Sequence, residues 1–311
     1  MPLFRREYKL IVGSAGEQDT GSLIEDLQIT FKVVRTSDAA KNKATIRVFN
    51  LSPDTRSRFE DSDNDDTNNP VIILQAQYAE DVSDSSSTRG FQTVFTGQVV
   101  NAITSKVGPD LITQIEAQDG YVPLREGLVG QLPNPAGRNF PAGTSRRVVL
   151  NQLISDLGVP VGEIRDGGSL DARFENGVTI EGPIRLALDS LLDAVNIDWS
   201  IQDDSFVAIR KDLASDEQII VLSPTTGLIG SPQARKAKAN RTTGAENESS
   251  AGIKVKSLLS PTLLPNRRVR VISEQYPDPG TIFKATKVTH SGDFRGTNWT
   301  TEAELVEFVA A

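Results

Sequence analysis

The sequence predicts a β-rich α+β protein, with two related β-barrel (tube-like) domains and a small α/β module between them. Three observations carry that expectation. Apolar and polar residues alternate with a period of two through the first and last thirds of the chain, the mark of half-buried strands. In the middle the apolar spacing lengthens to that of helices. A strand–turn–strand segment of the first third also recurs in the last third.

In the first third, Leu27, Ile29, Phe31 and Val33 alternate with polar neighbours. Ile46 and Val48 repeat the pattern in ATIRVFN, and Ile72, Leu74, Ala76 and Tyr78 repeat it in VIILQAQY. FQTVFTGQVVNAI and LITQIEAQ form a further pair about the turn-forming Gly108-Pro109-Asp110. Short strands at this spacing indicate a barrel or sandwich. One helix interrupts them. Ser52 supplies an N-cap hydroxyl, Pro53 takes the first helical position, and Asp54 places a carboxylate at the positive end of the helix dipole. The polar runs at 60–66 and 81–88 read as loops.

From Thr144 to Leu157, the residues Val149, Leu150, Leu153, Ile154 and Leu157 share one helical face. Thr144 or Ser145 caps its start, and Gly158 and Pro160 close its end. A second helix begins at Pro183, with Ile184, Leu188, Leu191, Leu192 and Val195 on its apolar face. DWSIQ and SFVAIR then flank Asp203-Asp204 as a hairpin, which completes a module over 142–210. Strands return in IIVL, GIKVKSLL, RRVRVI, GTIFKATKVTH and WTTEAELVEF, and the polar stretch from Gly230 to Ala251 reads as a long loop.

The internal repeat is gap-free. Phe95, Val100, Gly108, Asp110, Leu111, Thr113 and Glu116 are answered by Phe283, Val288, Gly296, Asn298, Trp299, Thr301 and Glu304. A second echo, LSP at Leu51 and again at Leu259, aligns Ile46 and Val48 with Lys254 and Lys256. That is one residue out of register, which turns side chains to the opposite face unless a bulge intervenes. The expected organisation is a first barrel at 1–125, a linker and inserted α/β module at 126–212, and a second barrel at 213–311 with its long loop near 230–251. Such a duplication lets few subunits imitate a ring of twice their number.

The totals restrict the function. With 33 Lys and Arg against 41 Asp and Glu, the chain carries a net charge of -8. A protein built to grip nucleic acid draws its affinity from cations that neutralise phosphates, so the balance fits instead a surface that DNA slides past. Zero Cys excludes disulfides and thiolate metal sites. No signal peptide and no transmembrane run is expected.

Catalytic signatures are absent from the sequence. His290 is the only histidine, which removes most acid–base and triad schemes, and a surface or hydrogen-bonded role is expected for it. Gly16 and Gly21 have phosphate-loop spacing, but Ser22 and Leu23 follow where Lys and Ser or Thr are required. Asp61, Asp63 and Asp65 open like a calcium loop, yet Asp66 replaces the glycine and Ile72 the closing Glu, so a solvated acidic loop is expected. Arg235, Lys236, Lys238 and Arg241 lack interleaved aromatics for stacking on bases and read as a solvated loop or a contact to an acidic subunit. Trp199 and Trp299 are expected in packing. No catalytic, metal or cofactor residue is assigned, and no interface residue is named.

Several segments resemble baseplate hub proteins of contractile-tailed phages: ATIRVFNLSPDTR, FTGQVVNAI, AQDGYVPLREGLV, PAGTSRRVVLNQLISDLGVPVGEI and SAGIKVKSLLSPTLLPNRRVRV. That family is similar to the hub half of the type VI secretion spike, and the resemblance runs from Tyr8 to Val306. It implies a non-enzymatic structural subunit without cofactor: a homotrimer whose two barrels per chain make a pseudo-sixfold ring. The ring joins a hexameric tail tube, or its initiator, to a trimeric central spike among other baseplate subunits. It passes DNA without specific binding, and it belongs to the virion tail after assembly in the host cytoplasm. Two alternatives stand beside it. One is a cell-wall glycan-binding module, for which an exposed aromatic groove drawn from Phe174, Trp199 and Phe206 would be needed. The other is a carboxylate-dependent wall hydrolase of the tail tip.

Overall fold

A computed structural model describes residues 5–13, 21–39, 42–60, 69–79, 90–129, 137–235, 252–274 and 280–308. The chain opens with β1 (Arg5–Gly13), β2 (Ser22–Ile24), β3 (Ile29–Thr36), β4 (Lys43–Phe49) and α1 (Pro53–Glu60). Next come β5 (Val71–Ala79), β6 (Gln92–Val107), β7 (Asp110–Gln118) and α2 (Tyr121–Glu126). The middle holds β8 (Arg138–Phe140), α3 (Arg146–Leu157), β9 (Val161–Arg165), β10 (Val178–Ile180), α4 (Ile184–Asp193), β11 (Ile197–Gln202) and β12 (Ser205–Arg210). The last part holds β13 (Ile220–Leu222), β14 (Gln233–Arg235), β15 (Gly252–Leu258), β16 (Arg268–Val271), β17 (Ile282–Asp293) and β18 (Trp299–Glu307).

The alternation places side chains as the period requires. Ile29, Phe31 and Val33 of β3 are buried, as are Ala44, Ile46 and Val48 of β4, while the residues between them face outward. The capped helices also form. The Thr55 amide donates to Ser52 Oγ, the Val148 amide to Ser145 Oγ, and Gly158 ends α3 at φ 74. Asp203 and Asp204 turn the β11–β12 hairpin at φ 49 and 60, a backbone region that Asp tolerates better than most residues. β1, β2, α2 and the short strands β8, β9, β10 and β14 were not foreseen. Two of the expected loops are shorter than foreseen. Glu60 still belongs to α1, and Gln233–Arg235, inside the loop expected from Gly230 to Ala251, forms β14 because its backbone pairs with β15. Residues 61–66, 81–88 and 236–251 lie outside the described residues.

Most strands join one thirteen-stranded sheet in the order β14-β15-β18-β17-β3-β4-β7-β6-β5-β1-β2, with β16 on β17 and β13 on β16. Among the described residues no pairing closes either half into a hydrogen-bonded barrel. For the first half the reason is topological, because the edge of β3 that would close it is taken by β17. Each half instead curls around its own apolar cluster. Leu10, Ile72 and Leu74 meet Ile29, Phe31, Ile46 and Ile115 in the first, and Val269 and Val271 meet Val255, Phe283 and Leu305 in the other. A third cluster packs α3 and α4 onto β11 and β12 through Leu150, Leu153, Leu188, Leu192, Trp199 and Phe206. Leu259 and Trp299, from the last third, complete the first cluster.

Within the sheet the order β14-β15-β18-β17 is followed by β3-β4-β7-β6, the same four-strand pattern twice. Glu304 lies opposite Lys254, and Glu116 opposite Thr45. Both hairpins carry a bulge at the same place, between Ala285 and Lys287 opposite Leu305 and Glu304, and between Val99 and Asn101 opposite Ala117 and Glu116. The gap-free match therefore holds along the return strands, where Thr113 answers Thr301. It fails along the leading strands, where Val99 corresponds to Ala285 and Ile103 to Thr289. The cause is the connection. Val107 pairs with Asp110 around a two-residue turn, whereas Gly292 pairs with Trp299 around a longer loop. The LSP echo resolves as well. Asn50 donates to the Leu111 carbonyl as Leu259 donates to that of Trp299, so Leu51 follows one residue later than its counterpart, and Asn50 takes φ 57.

Candidate functional site

The solvent face of the duplicated strands forms one surface across both halves. Cross-strand register places Lys256, Glu302, Thr289, Val34 and Lys43 in a single row. A parallel row runs through Ser291, Lys32, Thr45 and Glu116. A shallow cleft lies on this face between Lys32, Lys254, Lys287, Thr289, Glu302 and Glu304. Its cations are partly answered: Lys254 Nζ is 2.8 Å from Glu302, Lys256 is 3.6 Å from it, and Lys287 is 4.0 Å from Glu304. Those lysines hold the Glu302 carboxyl below its usual range, with the Lys254 hydrogen bond the largest cause. The chain is acidic overall, yet on this face lysines and Arg47 outnumber the three glutamates. A total charge does not report a local one.

The joint between the two halves is β17 against β3, with Lys287 opposite Thr36 and Asp293 opposite Thr30. His290 lies in this joint opposite Val33, fully buried, with Nδ1 2.9 Å from Thr301 Oγ1. Burial, then the nearby Arg35 cation, push its pKa down to about 3. It is therefore a neutral packing residue at ordinary pH.

The α/β module is held to the first half by the tip of its β11–β12 hairpin. Arg35 is fully buried and forks onto Asp203, with Nη1 2.9 Å from Oδ2 and Nη2 2.6 Å from Oδ1. Nη2 also donates to the Val94 carbonyl at 2.7 Å. The Asp119 carboxylate accepts from the Asp203 amide at 2.7 Å and the Asp204 amide at 3.0 Å. Asn42 donates to the Ile201 carbonyl at 2.7 Å, and Gln202 to that of Thr36 at 2.9 Å. Gly120, at φ 60, sits so close beneath Ile201 that a Cβ there would collide with its Cδ1. Burial pushes the Asp119 pKa up to about 7 against the Asp204 amide bond, and burial also raises that of Asp204. On the module's other flank, burial lowers Lys284 to about 8 beside Asp198 and Asp212.

No exposed aromatic groove forms on the module among the described residues. Trp199 is buried, stacks on Phe206 at 5.6 Å and donates to Asp189 at 2.9 Å. Phe174 is covered by the Arg146 guanidinium at 5.0 Å. Trp299 packs edge-on against Phe31 at 5.3 Å. Among the described residues no group of three or more His, Asp or Glu is arranged to hold a metal, and no helix is long and apolar enough to cross a membrane. The Asp61 series, Gly16, Lys236, Lys238 and Arg241 lie outside the described residues. Sequence reasoning missed Arg35, Asp119 and the shared polar face. Its one available signal was a lone arginine at an inward position of a β strand, two residues after Val33.

A family model described as baseplate hub gp41 matches residues 10–269. No curated protein matches the sequence. Among solved structures, a 43 kDa tail protein of prophage MuSo2 from Shewanella oneidensis is similar at a TM-score of 0.63 and 11% identity, covering 96% of this chain and 98% of that one. A tail protein from Neisseria meningitidis MC58 gives 0.58 and 11%, with 96% of each chain covered. The E. coli c3393 protein gives 0.55 and 13% over 96% and 77%. It is described as a type VI secretion component structurally similar to the T4 tail proteins gp27 and gp5. The match over most of the sequence, on a mostly antiparallel β fold shared with tail proteins, makes this chain a member of the baseplate hub gp41 family, structural components of phage tails.

Proposed function

We propose that the chain is a structural hub subunit, a homotrimer whose duplicated strands form a pseudo-sixfold ring between a hexameric tail tube and a trimeric central spike. The tandem four-strand order carries this reading. Two equivalent sheet segments per chain present six quasi-equivalent units from three copies, which is what a threefold-to-sixfold adaptor requires. The three apolar clusters support a division into a first unit at 1–125, an inserted module at 126–212 and a second unit at 213–311.

The polar face of the sheet lines the passage for DNA in this reading. Phosphate binding grows with the number of free cations, and pairing lysines with Glu302 and Glu304 keeps that number low. The subunit works without cofactor or catalytic site, through its interfaces, and becomes part of the virion tail after assembly in the host cytoplasm. Negative-stain microscopy of the purified chain, alone and with tube and spike partners, tests this. End-on averages with threefold symmetry, six lobes and a central hole are expected. Compact monomers under every condition would overturn it.

A further inference from the structure

The two four-strand segments differ in one respect. β17 gives the start of its outer edge to β16 and the remainder, Lys287–Asp293, to β3. β6 likewise gives the start of its edge to β5, Gln92 to Gln98. Beyond the bulge, the edge of β6 from Asn101 to Val107 has no strand partner among the described residues. At the other end of the sheet, β14 pairs with β15 on one side only among the described residues. Ile103 and Val107, on the open part of β6, are 58% and 57% exposed. An open strand edge bearing large apolar side chains is a pairing hazard that native proteins cover.

The internal joint says what covers it. In the duplicated order, β14 corresponds to β3 and β6 to β17. The one joint inside the chain, β17 on β3, thus has a counterpart that the chain cannot make with itself: β6 on a β14 from elsewhere. We propose that the open edge of β6 pairs antiparallel with β14 of a second copy of this chain, head to tail around the ring. This rests on the hub-ring reading and deepens it by naming the contact. The register follows from the shared bulges and cross-strand partners. Ser291 opposite Lys32, His290 opposite Val33 and Thr289 opposite Val34 become Ser105 opposite Gln233, Thr104 opposite Ala234 and Ile103 opposite Arg235 of the neighbour. The contact is heterologous, each copy using two different edges, so a closed ring leaves neither edge free.

The natural chain has no cysteine, which makes the test clean. Ser105 and Gln233 are both exposed, so S105C/Q233C leaves the core untouched. Oxidation should join copies covalently into a ladder ending at the ring, on the order of tenfold more efficiently than for V107C/Q233C, whose sites are two residues out of register. Mass by light scattering on the same samples separates the outcomes. Assembled rings with cross-linking specific to S105C/Q233C support the pairing. Assembled rings without it overturn the pairing and leave the hub reading standing. Monomers throughout, with tube and spike partners present and no cross-link, overturn both.

Discussion

The docking of the α/β module gives a prediction whose two halves differ in size. Arg35 and Asp203 are partners, yet their surroundings are unequal: the Arg35 side chain is fully buried, whereas that of Asp203 is 34% exposed. Removing Asp203 leaves a guanidinium enclosed in the sheet with only the Val94 carbonyl at 2.7 Å and a long contact to Gln202 Oε1 at 3.5 Å. Removing Arg35 leaves a carboxylate that water can reach. Breaking a buried pair costs about 3–5 kcal/mol when the orphaned charge stays buried. The Asp203→Asn change keeps the turn, because Asn accepts the left-handed backbone at φ 49, and keeps one oxygen for Arg35, so about 3 kcal/mol is expected. Arg35→Met fills the stem volume and orphans the exposed partner and one carbonyl, for about 1–2 kcal/mol. Urea unfolding read by linear extrapolation measures both. The double variant should recover part of the sum, with a coupling of about 1 kcal/mol or more. Equal costs with additive behaviour would show that the fork does not hold the module.

Three further outcomes follow from the same geometry. Asp119, raised from 3.8 to about 7, binds its proton more tightly in the folded chain, so its contribution is full below pH 3.8 and lost as pH rises to 7. His290, lowered from 6.5 to about 3, does the reverse, adding stability as pH rises from 3 to 6.5. The two oppose each other between pH 4 and 6.5. Asp119→Asn should therefore make stability climb with pH there, and His290→Gln should make it fall, by up to about 1.4 kcal/mol per pH unit in chemical denaturation. Glu302→Gln with Glu304→Gln frees three lysines. DNA retention by the purified chain should rise and steepen with falling salt, by about 0.9 in log–log slope for each phosphate gained, and unchanged retention would remove that face from the DNA path. Leu153→Ala, in the fully buried seam of α3, should cost about 2–5 kcal/mol, visible as a lowered urea midpoint.

Much of the fold was legible because local physics decides it. The period-two alternation of Ile29, Phe31 and Val33, the Ser52-Pro53-Asp54 cap and the Asp203-Asp204 turn each fix their element without help from distant residues. β1 escaped notice because its apolar Leu10, Ile11 and Val12 run together, a pattern that does not distinguish strand from helix. α2 escaped because its start is set by a left-handed Gly120 in place of a capping side chain. The repeat was visible, but its register was not. A gap-free match fits the return strands, and the different turn lengths at Gly108 and after Asp293 shift the leading strands by two residues. That keeps the faces in phase, so nothing in the alternation betrays it.

What sequence could not show is which edges meet. The reading put a linker and an inserted module between the two halves along the chain, and it did not foresee that in space the halves meet through a seven-residue antiparallel joint, Lys287–Asp293 on β3. Strand pairing is a backbone matter, and any two strands with matched faces satisfy it. The side chains that mark the joint read as anomalies in the sequence: a solitary His290, and an Arg35 where the inward alternation calls for an apolar residue. Both become intelligible once the halves are joined. Arg35 reaches from β3 to the module hairpin, and its positive charge adds to the burial that keeps the His290 imidazole neutral. The same arginine thus bears on two contacts, the one between the halves and the one between sheet and module. A change at this position is therefore expected to loosen the arrangement of all three units before it unfolds any one of them.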